Sequence, residues 1–154
     1  MHYYRIMSGH YHKSPYSCSP NAGRWNPKGS RMIYAGSSPT VSQLEYMCIN
    51  GSAVGLNSWF MVVYDIADAT LIGTLEADDL PSNWNILSHG RSTQNFGKSW
   101  LQEMEFPFLR VPSARINIAF YPGEHNLLIN PDFPALADLM KVVKALPFNY
   151  LLGS

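Results

Sequence analysis

Three side chains in the first 45 residues have the chemistry to grip an anionic, ring-bearing ligand. Arg24 stands in Gly23-Arg24-Trp25-Asn26-Pro27, Tyr34 in Ile33-Tyr34-Ala35-Gly36, and Glu45 in Leu44-Glu45-Tyr46. A guanidinium on a sharp turn can bind a phosphate or carboxylate bidentately, although a loop arginine can equally be solvated or stacked on Trp25 or Trp59. Lys28 could add a second cation to the same anion, or simply face water. Tyr34 closes an apolar strand just before two small residues, which would let a ligand approach its ring; a strand tyrosine can also be a core residue with its hydroxyl satisfied. Glu45 is harder to dismiss. On a helix over residues 39–50 it shares a face with Val41, Cys48 and Ile49, and a carboxylate beside a buried stripe must find a partner or a ligand. Ser113, in Arg110-Val111-Pro112-Ser113-Ala114 just past an apolar strand, could donate to a phosphate or ribose oxygen, or bond its own backbone in the turn.

Other chemistries find little support. His10-x-His12 is the one close histidine pair and has no convincing third ligand, so no metal site is expected. Ser113 lacks the flanking glycines of a nucleophile elbow, which argues against a hydrolase triad. There is no glycine-rich phosphate loop or dinucleotide fingerprint. Eleven basic and eleven acidic side chains give a net charge of zero, so no broad field draws the chain to nucleic acid or an anionic membrane, and any anion must be held by a local cluster. The residues from Met1 to Ile6 do not read as a signal peptide, and the longest apolar run, residues 59–64, is too short to span a bilayer. A soluble, cytoplasmic protein is expected, with Cys18 and Cys48 as free thiols.

The elements that must position these groups follow from periodicity. At 154 residues with 46% hydrophobic side chains, one domain with a sizeable core is the natural reading. Strands are predicted at 3–6, 32–35, 59–66, 71–75, 116–121, 126–130 and 146–151. Helices are predicted at 39–50, capped by Ser37 or Ser38 with Val41, Leu44, Met47 and Cys48 inward and Gly51 at its end, at about 92–103 with Phe96, Trp100 and Leu101 inward, and at about 134–144. Residues 8–30 form a long loop, of the kind that is usually functional in a compact domain. Strands and helices intermix without regular βαβ alternation, which makes the class α+β. Nothing is drawn from Gly153-Ser154, and the domain is taken as 1–152.

Taken together, the motifs resemble the RES domain family. The resemblance runs through Tyr4-Arg5-Ile6, Gly23-Arg24-Trp25-Asn26, Ile33-Tyr34-Ala35-Gly36, Leu44-Glu45, Thr93-x-x-x-Gly97-x-x-Trp100-Leu101, Val111-Pro112-Ser113-Ala114 and Glu124-x-Asn126-Leu127-Leu128-Ile129-Asn130-Pro131. It implies an ADP-ribosyltransferase-like fold with a mixed, split β-sheet core and flanking helices. It also implies a bacterial toxin that attacks NAD by phosphorolysis or hydrolysis, or else transfers ADP-ribose to a protein. NAD is then substrate, inorganic phosphate a possible co-substrate, and no cofactor is required. The implied partner is an Xre-like helix-turn-helix antitoxin covering the active site, with no direct nucleic acid or membrane contact. In that assignment Arg24, Tyr34 and Glu45 are catalytic, and Trp25, Lys28 and Ser113 bind substrate. The sequence departs from the family pattern at Pro147-Phe148-Asn149-Tyr150-Leu151, where a basic segment is expected. A non-catalytic nucleotide- or partner-binding module remains the alternative from a different class.

Overall fold

The computed structural model describes residues 1–153; Ser154 lies outside them. Seven strands form one mixed sheet: β1 (His2–Ser8), β2 (Ile33–Gly36), β3 (Trp59–Asp65), β4 (Ile72–Thr74), β5 (Phe108–Val111), β6 (Asn126–Ile129) and β7 (Lys141–Phe148). Their order across the sheet is β4-β5-β6-β2-β1-β3-β7. Only β4 and β5 run parallel; every other neighbouring pair is antiparallel. The expected α+β class holds.

Alternation along each strand divides the core between the two faces of the sheet. On one face Tyr3, Ile33, Ala35, Val62, Tyr64, Phe108, Leu127 and Ile129 pack with Leu136 and Met140. Residues 9–20 help to cover this side, where Tyr16 and Cys18 lie against the cluster. On the other face two separate clusters form, one around Trp25, Trp100, Leu109 and Leu128, the other around Ile6, Trp59 and Met61. Two helices, α1 (Pro39–Asn50) and α2 (Arg91–Glu103), cover this second face. Tyr46 of α1 meets Trp59 of β3 edge to face, while Trp100 of α2 belongs to the Trp25 cluster.

The start of α1 is written in its sequence: Ser38 accepts the Val41 N–H, Pro39 follows with its preset φ, and Gly51 ends the helix at φ 63°. Its inward face differs from expectation. Val41 and Ser42 are buried, but Cys48 and Ile49 are exposed, because Ser42 docks the helix directly on the sheet by donating to the Tyr4 carbonyl at 2.6 Å. Beneath it lies Gly36, where a Cβ would come within 2.6 Å of the Ser42 hydroxyl. The glycine two residues after Tyr34 therefore serves helix packing.

Two predictions near the C-terminus fail. Residues 116–121 are not a strand; Asn117 caps a 3-10 turn over Ile118–Phe120, and the exposed Phe120 points outward. Both sides of β5, the strand that precedes this segment, are already paired, by β4 and β6, so the segment cannot fold back beside it. The helix over 134–144 is one turn, α3 (Leu136–Leu139), after which β7 begins at Lys141 instead of 146. Val142 and Val143 suit the extended backbone, and pairing with β3 along the whole of β7 wins over the helical pattern.

Candidate active site

One row of the sheet sets up the site. Tyr4, Gly36, Asn126 and Val111 stand side by side on β1, β2, β6 and β5, so they share the face that α1 and α2 cover. Gly36 contributes no side chain, and Glu45, reaching down from α1, meets Asn126: the amide donates to Glu45 Oε1 at 3.0 Å. Ser113, two residues past Val111, donates its hydroxyl to the same oxygen. The serine oxygen in turn accepts the Arg115 backbone N–H at 3.0 Å. Ser113 is buried, and its one proton is directed at Glu45. It supports the carboxylate and has no hydrogen left for a phosphate or ribose oxygen.

The Gly23–Asn26 turn forms the second wall. The Gly23 N–H donates to the Asn26 carbonyl at 3.0 Å, and Asn26 donates its amide to the Asn21 and Ser30 carbonyls. The turn is tied to β2 through Tyr34, whose hydroxyl donates to Asn26 Oδ1 at 2.5 Å and accepts the Trp25 N–H at 3.1 Å. Burial raises the Tyr34 pKa, outweighing the lowering effects of the Trp25 N–H and Arg24. The phenol is therefore a proton donor at any physiological pH. Its hydroxyl end is committed, while part of the ring remains accessible. Gln94 of α2 donates to the Gly23 carbonyl at 3.1 Å, holding the turn against the helix.

Arg24 is half-buried on this turn and donates through Nη1 to the carbonyls of Trp84 (2.9 Å) and Ile86 (2.8 Å). Its other nitrogens make no protein hydrogen bond among the described residues. Burial and the nearby Arg115 guanidinium lower its pKa, while Glu45 and Tyr34 act in the opposite direction. Arg115, Glu45 and Tyr34 therefore each lie within electrostatic reach of Arg24. Neither Arg24 nor Arg115 forms an ion pair among the described residues, and guanidiniums without a carboxylate of their own are candidates to hold an anion.

Of the residues singled out from sequence, Arg24, Tyr34, Glu45 and Ser113 converge. Trp25 and Lys28 do not join them. Trp25 is 1% exposed and packs edge to face on Phe96 at 5.7 Å, so it supports the turn from within the core and offers no surface to a substrate. Lys28 is exposed in the next turn and bonds to none of the four. The cation that bears on Arg24 is Arg115 instead. Sequence reasoning passed over Asn26, Arg115 and Asn126 as functional residues, although both asparagines lie inside motifs that carry the family resemblance. Among the described residues no three His, Cys, Asp or Glu side chains converge. The site's own groups are thus one carboxylate, two guanidiniums, a phenol and an amide. Two surface cavities, one between α1 and residues 148–152 and one beside the C-terminal end of α2, contain none of these groups. The convergent chemistry is the better guide to the site than the size of a hollow.

Comparison with known proteins agrees with this arrangement of motifs. The RES domain family model matches residues 2–150. Toxin Res of Yersinia enterocolitica is 29% identical over 150 residues, covering 96% of this chain and 95% of that protein. The Prs ADP-ribosylating toxin of a Sphingobium species is 35% identical over 115 residues, covering 73% of this chain and 68% of its own length. Among solved structures, a chain of the M. tuberculosis MbcT-MbcA toxin-antitoxin complex aligns with a TM-score of 0.60 at 17% identity, covering 96% of this chain and 84% of that one. This last likeness shows a shared fold.

Proposed function

The chain belongs to the RES domain family, and on that premise we propose that it is the toxin of a toxin–antitoxin pair and that it consumes NAD by breaking the nicotinamide–ribose bond. The observation that carries this reading is the doubly supported carboxylate Glu45 within electrostatic reach of the Arg24 guanidinium, on which Arg115 and Tyr34 also act. NAD presents matching groups: an anionic diphosphate, two riboses and a cationic nicotinamide ring. Arg24 and Arg115 would take the phosphates, and the accessible part of the Tyr34 ring would lie against nicotinamide.

Glu45 then faces the ribose. When the bond breaks, nicotinamide leaves with the electron pair, which neutralises its ring nitrogen, and positive charge develops on the sugar. A carboxylate held by protein donors stabilises that charge without reorganising at the moment of reaction. Phosphate or water supplies the oxygen that bonds to the sugar carbon. The implied partner is an Xre-like helix-turn-helix antitoxin covering this face; the solved structure of similar fold is itself a toxin–antitoxin complex.

Incubation of the protein with NAD, with and without inorganic phosphate, should release nicotinamide, and the Glu45→Ala variant should not. A folded wild-type preparation that releases none, with or without candidate protein acceptors, would sink the proposal. A second reading, transfer of ADP-ribose to a protein, is favoured by the name of the Sphingobium relative. Label from NAD that ends on a macromolecule would select it. Tight binding that leaves NAD unchanged would instead point to a non-catalytic module.

A further inference from the structure

The support of Glu45 is asymmetric, and the asymmetry has a functional consequence within the NAD-cleaving reading on which this inference rests. A glutamate's terminal torsion is broad and twofold, so a free carboxylate exchanges its two oxygens easily. Here both protein donors end on Oε1, one from Ser113 and one from Asn126, which removes that equivalence. Ser113 is aimed because its oxygen is occupied by the Arg115 N–H. Asn126 is aimed because a carboxylate only accepts, so the amide must present its nitrogen. The Asn126 backbone is itself held between Gly36 and Val111 in the interior of the sheet, a more rigid base than a loop provides.

We infer that Asn126 is a positioning residue: with Ser113 it pins Glu45 through Oε1 and leaves Oε2 as the oxygen that faces the substrate. It touches no substrate atom itself. Its contribution is to hold the one charged group in the geometry that the transition state needs, a form of preorganisation.

Two variants and a pH profile test this in the full chain. Asn126→Ala removes the donor and should lower kcat by about 10–100-fold with KM within about twofold, the scale typical of supporting partners. Asn126→Asp keeps the shape but sets one carboxylate against another. It should be nearly inactive at pH 8 and regain activity toward pH 5, as the pair takes up one shared proton and the introduced carboxyl can donate to Oε1. Arg24 lies within electrostatic reach of Glu45, and a guanidinium does not titrate in that range; His125, next to Asn126 in the chain, does, but it bonds to Tyr3 and Pro122 instead, and the wild-type profile over the same range carries its contribution. Wild-type kcat in Asn126→Ala, or a wild-type profile in Asn126→Asp, overturns the inference. Should the wild-type protein leave NAD intact, the proposed function falls, and the bond is read from thermal unfolding instead. Glu45→Ala and Asn126→Ala should then be non-additive by roughly 3–6 °C in Tm, and additive shifts overturn the inference.

Discussion

Gly97 offers a test of how the two walls of the site are held together. It sits on the inner face of α2, where a Cβ would lie 1.6 Å from the Trp25 carbonyl oxygen and 2.7 Å from the carbonyl carbon, whereas real Cβ atoms stay beyond 3.0 Å. In Gly97→Ala the helix and the Gly23–Asn26 turn must therefore part by about 1.4 Å. The obstacle is backbone, so no side-chain rotation relieves it. Overpacking of this kind costs about 2–3 kcal/mol, which lowers the Tm of a domain this size by roughly 5–10 °C. Arg24 moves with the turn, and a displacement near 1 Å in a positioned group costs about 100-fold in rate. Thermal melts combined with nicotinamide release at a temperature where the variant is still folded separate the two effects. Gly9→Ala is the control, since its Cβ would make only an ordinary 3.8 Å contact with Phe60. A Gly97→Ala protein with wild-type Tm and wild-type turnover would refute the reasoning that the close approach of α2 to Trp25 sets the position of Arg24.

Other substitutions probe single links. Arg115→Ala should raise KM for NAD about tenfold, the loss of one charge-assisted contact, while Lys28→Ala stays within about twofold; equal effects from the two in steady-state kinetics would mean that the anion site is drawn wrongly. Tyr34→Phe removes the donor to Asn26 and the acceptor for the Trp25 N–H, so denaturant unfolding should show a loss of about 2–3 kcal/mol from the orphaned groups; an unchanged midpoint contradicts this. Buried His125 accepts from the Tyr3 hydroxyl at Nε2 and donates from Nδ1 to the Pro122 carbonyl at 2.7 Å. Burial is the main cause of its lowered pKa. The neutral ring is the folded-state form, so its stabilising contribution is complete above the unfolded value of about 6.5 and is lost as pH falls through the lower folded value. Between pH 7.5 and pH 5, Tm should therefore fall further in the wild type than in His125→Gln, and parallel curves would refute the assignment.

Much of the fold is legible from local pattern. The N-terminal strand, the Ser38-capped helix, the long buried strand β3 and the amphipathic α2 all follow from capping residues and apolar periodicity. The failures share a cause. Residues 116–121 alternate as a strand should, yet the preceding strand β5 is already paired on both sides and Asn117 turns the chain away, while residues 141–144 belong to a helical pattern that loses to pairing with β3. Such competition between distant segments leaves no mark on the local sequence.

The site divides in the same way. By itself the sequence determined the groups available for chemistry and the turn, strand and helix that present them: Arg24 between Gly23 and Trp25, Tyr34 on β2, Glu45 on α1. It also carried the motifs by which the family is known. Only the tertiary structure decided which groups meet. Strand register sets Asn126 beside Gly36, and thus beneath Glu45; the turn after β5 spends the Ser113 proton on that same carboxylate; and the close approach of Gly97 to Trp25 seats the turn that carries Arg24. Hydrogen bonds are specific to within a few tenths of an ångström, whereas residue type and spacing along the chain fix only which partners are possible.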